Sequence, residues 1–299
     1  MSHSPSQDSP SLTVVVHGAT GSQGLPVVKA LLAAGHHVRG LARTPSLLTS
    51  LAPGAEPVAA DLADADALAT AYTAADAVVV QLPLVFDSTA IAQAERVLKA
   101  LALAGVPRVV ANLGGPVPPG PVGHPYVDAR VLLRDGVLDA TAPGVAVGPA
   151  LAYADNLALP ASARRVLDGT LAYPLPAEVP VPWLATSDLA DLITELVGTD
   201  ERGAIALAGP AVLTGPDAAR AVGAGAGQEV EWQSISPDEY REMLRPTIGA
   251  VAADGIAAMY AAAAATPPPA PDPQAIPPRI GTTDLATWAS QQDWVIAAR

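Results

Sequence analysis

Seven residues near the N-terminus, Gly18-Ala19-Thr20-Gly21-Ser22-Gln23-Gly24, are spaced to hold a phosphate. Glycines at G-x-x-G-x-x-G let a backbone turn sharply and approach a pyrophosphate closely. The run follows residues 12–17 (LTVVVH), whose β-branched side chains predict a buried parallel strand. It opens residues 25–34, which have helical spacing and end at Gly35. A helix N-terminus offers free N–H groups and the positive end of the helix dipole. The chemistry implied is dinucleotide binding. In an NAD(H) site an acidic residue about 20 positions on would bind the ribose diol. No Asp or Glu lies between Lys29 and Glu56, and Arg43 stands at the end of the second strand. An arginine there suits a 2′-phosphate, so the expected cofactor is NADP(H). Arg39 ranks second because it lies mid-strand. Thr20, Ser22 and Gln23 of the turn, and Gln81 at the end of the fourth strand, complete the expected contacts. Asp61 and Leu62, after the third strand, are placed either against the adenine or in a structural turn.

Strands and helices must alternate to position these residues. Strands are predicted at 37–42, 57–60, 77–82, 108–113 and 144–147, and helices at 64–74, 87–104 and 126–138. Alternation with right-handed crossovers predicts an α/β fold, a doubly wound parallel sheet over residues 12–155. Residues 1–11 read as a disordered Ser/Pro-rich tail. Residues 156–299 predict mostly a smaller α+β lobe that would bind substrate, with about 182–209 returning to the core. Its helices are expected at 157–167, 187–197 (capped by Thr186 or Ser187), 214–222, 237–244 and 284–296. Its strands are expected at 204–207 and 229–235, and a Pro-rich linker at 266–279.

Composition excludes several functions. The 299 residues carry 16 basic and 29 acidic side chains, a net charge of -13. That balance argues against a nucleic-acid partner. With no cysteine, thiolate metal sites and a cysteine nucleophile are excluded. The histidines are too scattered for a metal site. The alanine-rich stretch 249–265 is short for a membrane span and interrupted by Asp254. A soluble cytoplasmic protein, monomer or homodimer, is expected, with a small-molecule substrate and no membrane partner.

The sequence resembles the NmrA-like branch of the atypical short-chain dehydrogenase/reductases. The resemblance rests on GATGSQG (18–24), RGLAR (39–43), AGVPRVV (104–110), GVAVGPALAYADNLA (144–158), PWLATSDLADL (182–192) and residues 209–232. It implies a Rossmann fold with a small substrate lobe, with NADP(H) usually bound. The family includes quinone, isoflavone and phenylcoumaran-type reductases. It also includes dinucleotide-binding redox-sensing regulators without clear catalysis.

Short-chain dehydrogenases use a Ser or Thr after the fifth strand and a Tyr-x-x-x-Lys on the next helix. The tyrosine donates a proton, and the lysine lowers its pKa and holds the nicotinamide ribose. Here the helix reads Tyr126-Val127-Asp128-Ala129-Arg130, and Asn112 takes the serine position. Lys29 and Lys99 are the only lysines, and neither follows the fifth strand. The expectation is that Asn112 polarises the substrate, Tyr126 donates the proton and Arg130 holds the ribose. Arginine cannot shuttle protons. Core packing of Tyr126 and a surface charge at Arg130 are the alternative. Phe86, His124, Tyr153 and Asn156 are assigned to the substrate pocket, and Asp155 to capping the helix near Leu157. The expected activity is reduction of a carbonyl, quinone, imine or activated alkene of a small apolar metabolite by NADP(H). A non-catalytic NADP(H) sensor, or an isomerase or cyclase, is the alternative.

Overall fold

Alternating strand and helix signals in the first half become β1 (Thr13–Val16), α1 (Gly24–Ala33), β2 (His37–Ala42), α2 (Pro45–Leu51), β3 (Glu56–Ala59), α3 (Ala65–Ala71), β4 (Ala77–Gln81), α4 (Thr89–Ala104), β5 (Val109–Asn112), α5 (Pro125–Leu138) and β6 (Gly144–Pro149). The computed structural model describes residues 10–59, 61–140, 142–150, 152–265 and 277–299. Nearly all of the expected N-terminal tail, and residues 266–276 of the expected linker, lie outside the described residues. The second half contributes α6 (Pro160–Leu167), β7 (Thr170–Tyr173), β8 (Val181–Pro182), α7 (Thr186–Val197), β9 (Gly203–Ala208), β10 (Val212–Leu213), α8 (Gly215–Ala226), β11 (Glu231–Ser234), α9 (Pro237–Ile248), α10 (Ala250–Ala265), β12 (Arg279–Ile280), α11 (Leu285–Ser290) and α12 (Trp294–Ala297).

One eight-stranded sheet runs β12-β9-β6-β5-β4-β1-β2-β3. Every pairing in it is parallel. The strand order reverses between β1 and β4, and ligands of such sheets bind at the carboxyl ends beside that reversal. The valine runs explain the burial, because successive side chains point to opposite faces. Val14 and Val16 join the layer of α1, α2 and α7. Val15 joins the layer of α3, α4 and α5. A third cluster, built on β7, β8, α6 and α8 to α12, forms the smaller lobe. The fold is the expected α/β Rossmann-like arrangement, and β12 joins β9 as a second return of the chain to the main sheet.

Four local expectations are corrected. Helix α2 was not anticipated. Pro45 opens it, and it is held by fully buried Leu48. The last helix is two short ones, because Asp293 accepts a hydrogen bond from Ile296 N and starts α12 afresh. The N-cap position of α7 is Ala185, and neither Thr186 nor Ser187 caps it through its side chain. Asp155 serves that end instead of the helix near Leu157. Its carboxylate accepts from Thr186 N at 2.9 Å and Thr186 Oγ1 at 2.8 Å. Among the described residues, no helix is long and apolar enough to cross a membrane.

His17 ends the first strand run inside the core, with Nε2 2.7 Å from the Tyr72 hydroxyl. Burial lowers its pKa from 6.5 to about 4. The neutral ring is therefore favoured in the folded protein, whereas the unfolded chain binds a proton below about pH 6.5. Stability is then full above that pH and falls as pH drops toward 4. Urea denaturation should show a loss of roughly 2 kcal/mol between about pH 7 and pH 4.5 from this group. His17→Gln should flatten that slope, and an unchanged slope would remove His17 as its cause.

Candidate functional site

The glycine turn sits at the carboxyl end of β1. Gly18 has φ +59°, a left-handed conformation that favours glycine. A Cβ on Gly24 would lie 2.2 Å from the Gly18 carbonyl oxygen, so α1 starts tightly against the turn. No side chain caps α1, and its first turn carries no acidic residue. A pocket of about 200 Å³ opens here, lined by Thr20, Gly21, Ser22, Leu25, Pro26 and Lys29. Arg43 is exposed just beyond β2, and among the described residues it makes no hydrogen bond or ion pair. Arg39 is occupied: it donates to Thr73 O at 2.7 Å and pairs with Glu56 at 3.5 Å. Asp61 closes a turn by accepting from Ala63 N at 2.8 Å, while Leu62 packs partly into the core.

Gln23 is held by residues at the ends of neighbouring strands. Its Oε1 accepts from Asn112 Nδ2 at 2.7 Å and from the Tyr153 hydroxyl at 3.3 Å. Asn112 Nδ2 also reaches Gln81 Oε1 at 3.4 Å, and its Oδ1 accepts from Gly114 N at 3.0 Å. The segments at or just past the ends of β1, β4, β5 and β6 are thus joined through three side-chain amides and the Tyr153 phenol. Asn112 is 2% exposed, so its amide is committed to protein partners. Tyr153 is held by pairing with Leu184 and by the backbone bonds Leu184 N to Ala152 O and Ala154 N to Leu184 O. Burial raises the Tyr153 pKa, keeping the phenol protonated, and nearby Arg130 partly opposes that shift.

Tyr126 and Arg130 do share one face of α5, as their spacing requires. The guanidinium lies 3.5 Å over the Tyr126 ring. Arg130 is buried and donates to Leu113 O, Tyr126 O, Leu82 O and Pro83 O at 3.0–3.3 Å. Four backbone carbonyls therefore occupy the side chain expected to hold a ribose. Burial lowers its pKa, opposed by the facing Tyr126 and Tyr153. Phe86 stacks on Tyr126 at 4.8 Å and 12°. His124 meets both rings edge-on at 6.3 and 6.5 Å, and its buried Nδ1 has no hydrogen-bond partner among the described residues. Phe86, His124, Tyr126 and Arg130 thus form one group, neighbouring the Asn112, Gln23, Gln81 and Tyr153 amide set through Leu113 and Gly114.

Asn156 stands apart from this group. It faces the Tyr173 hydroxyl in the smaller lobe, together with Tyr240 and Tyr260. Sequence reasoning missed those three tyrosines, which lie far apart in the chain and carry no local motif. It also missed Lys29, which lines the pocket at the glycine turn, although its place in the second turn of α1 was a usable signal.

The chain has structural counterparts. Triphenylmethane reductase of Citrobacter sp., solved complexed with NADP(H), superposes with TM-score 0.65 at 19% identity over 83% of this chain and 88% of that one. A new type of NADPH-dependent quinone oxidoreductase from Escherichia coli gives TM-score 0.64 at 17% identity over 93% and 98%. Nmra, a negative transcriptional regulator, gives TM-score 0.64 at 17% identity over 96% and 100%. At these identities the likeness speaks to the fold. No curated protein sequence matches the chain. A family model described as the NmrA-like family matches residues 10–266, spanning both the glycine turn and the tyrosines of the smaller lobe. The chain therefore belongs to the NmrA-like family.

Proposed function

We propose that the protein is an NADP(H)-dependent oxidoreductase that reduces a carbonyl, quinone, imine or activated alkene of a small apolar metabolite. The carrying observation is the glycine turn with Arg43. Gly24 leaves no room for a side chain, α1 opens without a side-chain cap, and an exposed arginine without a partner among the described residues follows β2. Those features suit a pyrophosphate at the turn and a 2′-phosphate at Arg43. Structural counterparts named as NADP(H)-bound or NADPH-dependent reductases support the reading.

The cofactor supplies a hydride when bound. The protein's own residues supply the proton and the shape. Phe86 and Tyr126 form an apolar aromatic wall. The Tyr126 hydroxyl is the proposed proton donor. Arg130, fixed by its carbonyls, keeps a positive charge beside Tyr126 and stabilises the phenolate left after donation. Its proposed role is thus positioning and charge rather than ribose binding. Asn112, engaged with Gln23 and Gln81, holds the amide set in register. Tyr153, kept protonated by burial, is the second candidate donor. A dinucleotide-binding regulator is the competing reading. It is favoured by the commitment of Arg130 and Asn112 to protein partners and by the absence of a lysine after Lys99.

Arg43→Ala should weaken NADPH binding about 10–100-fold and leave NADH binding unchanged. Equal effects on the two dinucleotides would refute the assignment. With a panel of quinones, ketones, imines and enones, the wild type should consume reduced nicotinamide absorbance. Tyr126→Phe should lower kcat roughly 10²–10⁴-fold while NADPH still binds. Tight NADPH binding with no turnover across the panel would favour the regulator. Arg130→Lys should cost about 2–4 kcal/mol in urea denaturation, since an ammonium cannot reach all the carbonyls the planar guanidinium serves.

A further inference from the structure

Helix α10 lies between the smaller lobe and the aromatic wall. Ala253, Ala257 and Tyr260 share one of its faces, and Gly255 stands about 160° round the helix from each of the two alanines. Ala253 and Ala257 are buried, and Tyr260 packs on the core of the smaller lobe. On the opposite face, a Cβ on Gly255 would come within 2.3–2.4 Å of three Phe86 ring atoms, so the helix backbone rests on that ring. Phe86 in turn stacks on Tyr126 at 4.8 Å and 12°, with the Arg130 guanidinium 3.5 Å over the same Tyr126 ring. Phe86 and Arg130 cannot share one face at those distances. Both faces of Tyr126 are therefore taken, and α10 takes the outer face of Phe86. Phe86 follows β4, one of the two strands at the order reversal where ligands of such sheets bind. A ligand approaching the wall from that side meets α10 first.

Few ties hold this helix of 16 residues in place. It is mostly alanine, whose methyl groups bury little apolar area. Among the named elements it packs closely only along α9. On the surface, Asp254 pairs with Arg241 at 3.7 Å and with Arg245 at 3.5 Å. Further along, the Tyr260 hydroxyl meets the Tyr173 hydroxyl at 2.6 Å. A single residue, Gly249, separates α9 from α10 at φ +82°, ψ 162°, a conformation essentially restricted to glycine. Pro246, in the last turn of α9, lacks the N–H that would bond the Glu242 carbonyl. The backbone is thus interrupted at one short stretch and regular on either side of it.

We propose that α10 is a hinged cover of the candidate site: it turns about Gly249, lifts Gly255 from Phe86 and uncovers the Phe86–Tyr126 wall. Asp254, through Arg241 and Arg245, and Tyr260, through Tyr173, hold it shut. Gly255 is its seat, since any side chain there would hold the helix off the ring. The movement assumes no activity; only the identity of what enters as a substrate rests on the reductase reading.

The chain has no cysteine, so an introduced thiol is unique. Native-state labelling of the full chain by a thiol reagent tests the cover from both sides. Ala257→Cys reads opening from α10, and Phe86→Cys reads it from the wall. Ala289→Cys, fully buried on α11 of the same lobe, reads unfolding of the lobe. Ala257→Cys should label roughly 100-fold or more faster than Ala289→Cys, as a local opening requires. Adding Tyr260→Phe should speed labelling at both residues 257 and 86 about three- to tenfold. Adding Asp254→Asn should speed both about two- to fivefold. Adding Gly249→Ala, which cannot easily hold the closed backbone, should speed both about fivefold or more. None of the three should change Ala289→Cys. Labelling at residue 86 that ignores these changes, or at residue 257 no faster than at residue 289, would overturn the proposal. A disulfide between Gly255→Cys and Phe86→Cys locks the cover, because the Gly255 Cβ position lies 2.4 Å from Phe86 Cγ, one bond from its Cβ. For a compound that this double variant reduces after dithiothreitol, the oxidised form should be about tenfold slower or more. Equal rates in the two forms would also overturn the proposal. If the thiols behave as stated while no compound in the panel oxidises NADPH with the wild type, the cover stands and the reductase reading falls.

Discussion

The first helix begins within contact of the turn that precedes it, and the geometry of the candidate site follows from that closeness. Gly24 can pack on the Gly18 carbonyl only because it has no Cβ. The start of α1 is thereby drawn over the end of β1. Gln23, one residue earlier, then reaches the tips of β5 and β6, where it meets Asn112 and Tyr153. A bulkier residue at Gly24 would push the start of α1 off the turn and away from the strand ends that Gln23 reaches. The same constraint serves two purposes: it exposes backbone donors on one side and organises side chains on the other.

Arginine, rather than lysine, satisfies the carbonyls left at the ends of elements in this protein. Arg130 gathers the carbonyls that follow β4 and β5 and one on α5. Arg108, also buried, does the same near the end of α7, donating to the carbonyls of Leu196 and Glu201. A planar guanidinium presents its donors in a fixed fork that suits several oxygens at once. The scarcity of lysine is therefore matched by structural work that lysine would do poorly. It leaves Tyr126 beside a charge that is permanent rather than one able to relay protons.

Much of the core was legible because its information is local. The valine runs, the glycine turn and the alternation of helix and strand each lie within a few residues. The pairing of Tyr126 with Arg130 followed from helical periodicity alone. What escaped was set by distant partners. Local sequence points Asp155 to the cap of the helix near Leu157, yet its oxygens are claimed by Thr186, 31 residues on. Arg130 was read as a ligand-facing cation because sequence does not show how many carbonyls surround a helical residue. The tyrosine cluster draws on residues 173, 240 and 260, and no spacing rule joins them. The short α2 was hidden because Pro45 reads as a turn residue as readily as a helix opener.

The link between Asp155 and Thr186 bears on how this chain is assembled. Between them the chain leaves the main sheet, forms α6, β7 and β8 in the smaller lobe, and comes back. The Tyr153–Leu184 bridge and the Asp155 carboxylate tie the exit and return together at the neck. Once a neck is closed, lengthening the excursion beyond it costs little, about 0.6 kcal/mol for each doubling of a flexible loop. The loops that join α6, β7 and β8 can therefore lengthen without disturbing the register of the eight parallel strands, whereas the elements themselves are held by the lobe's own core. The neck lets the two cores vary with little effect on each other.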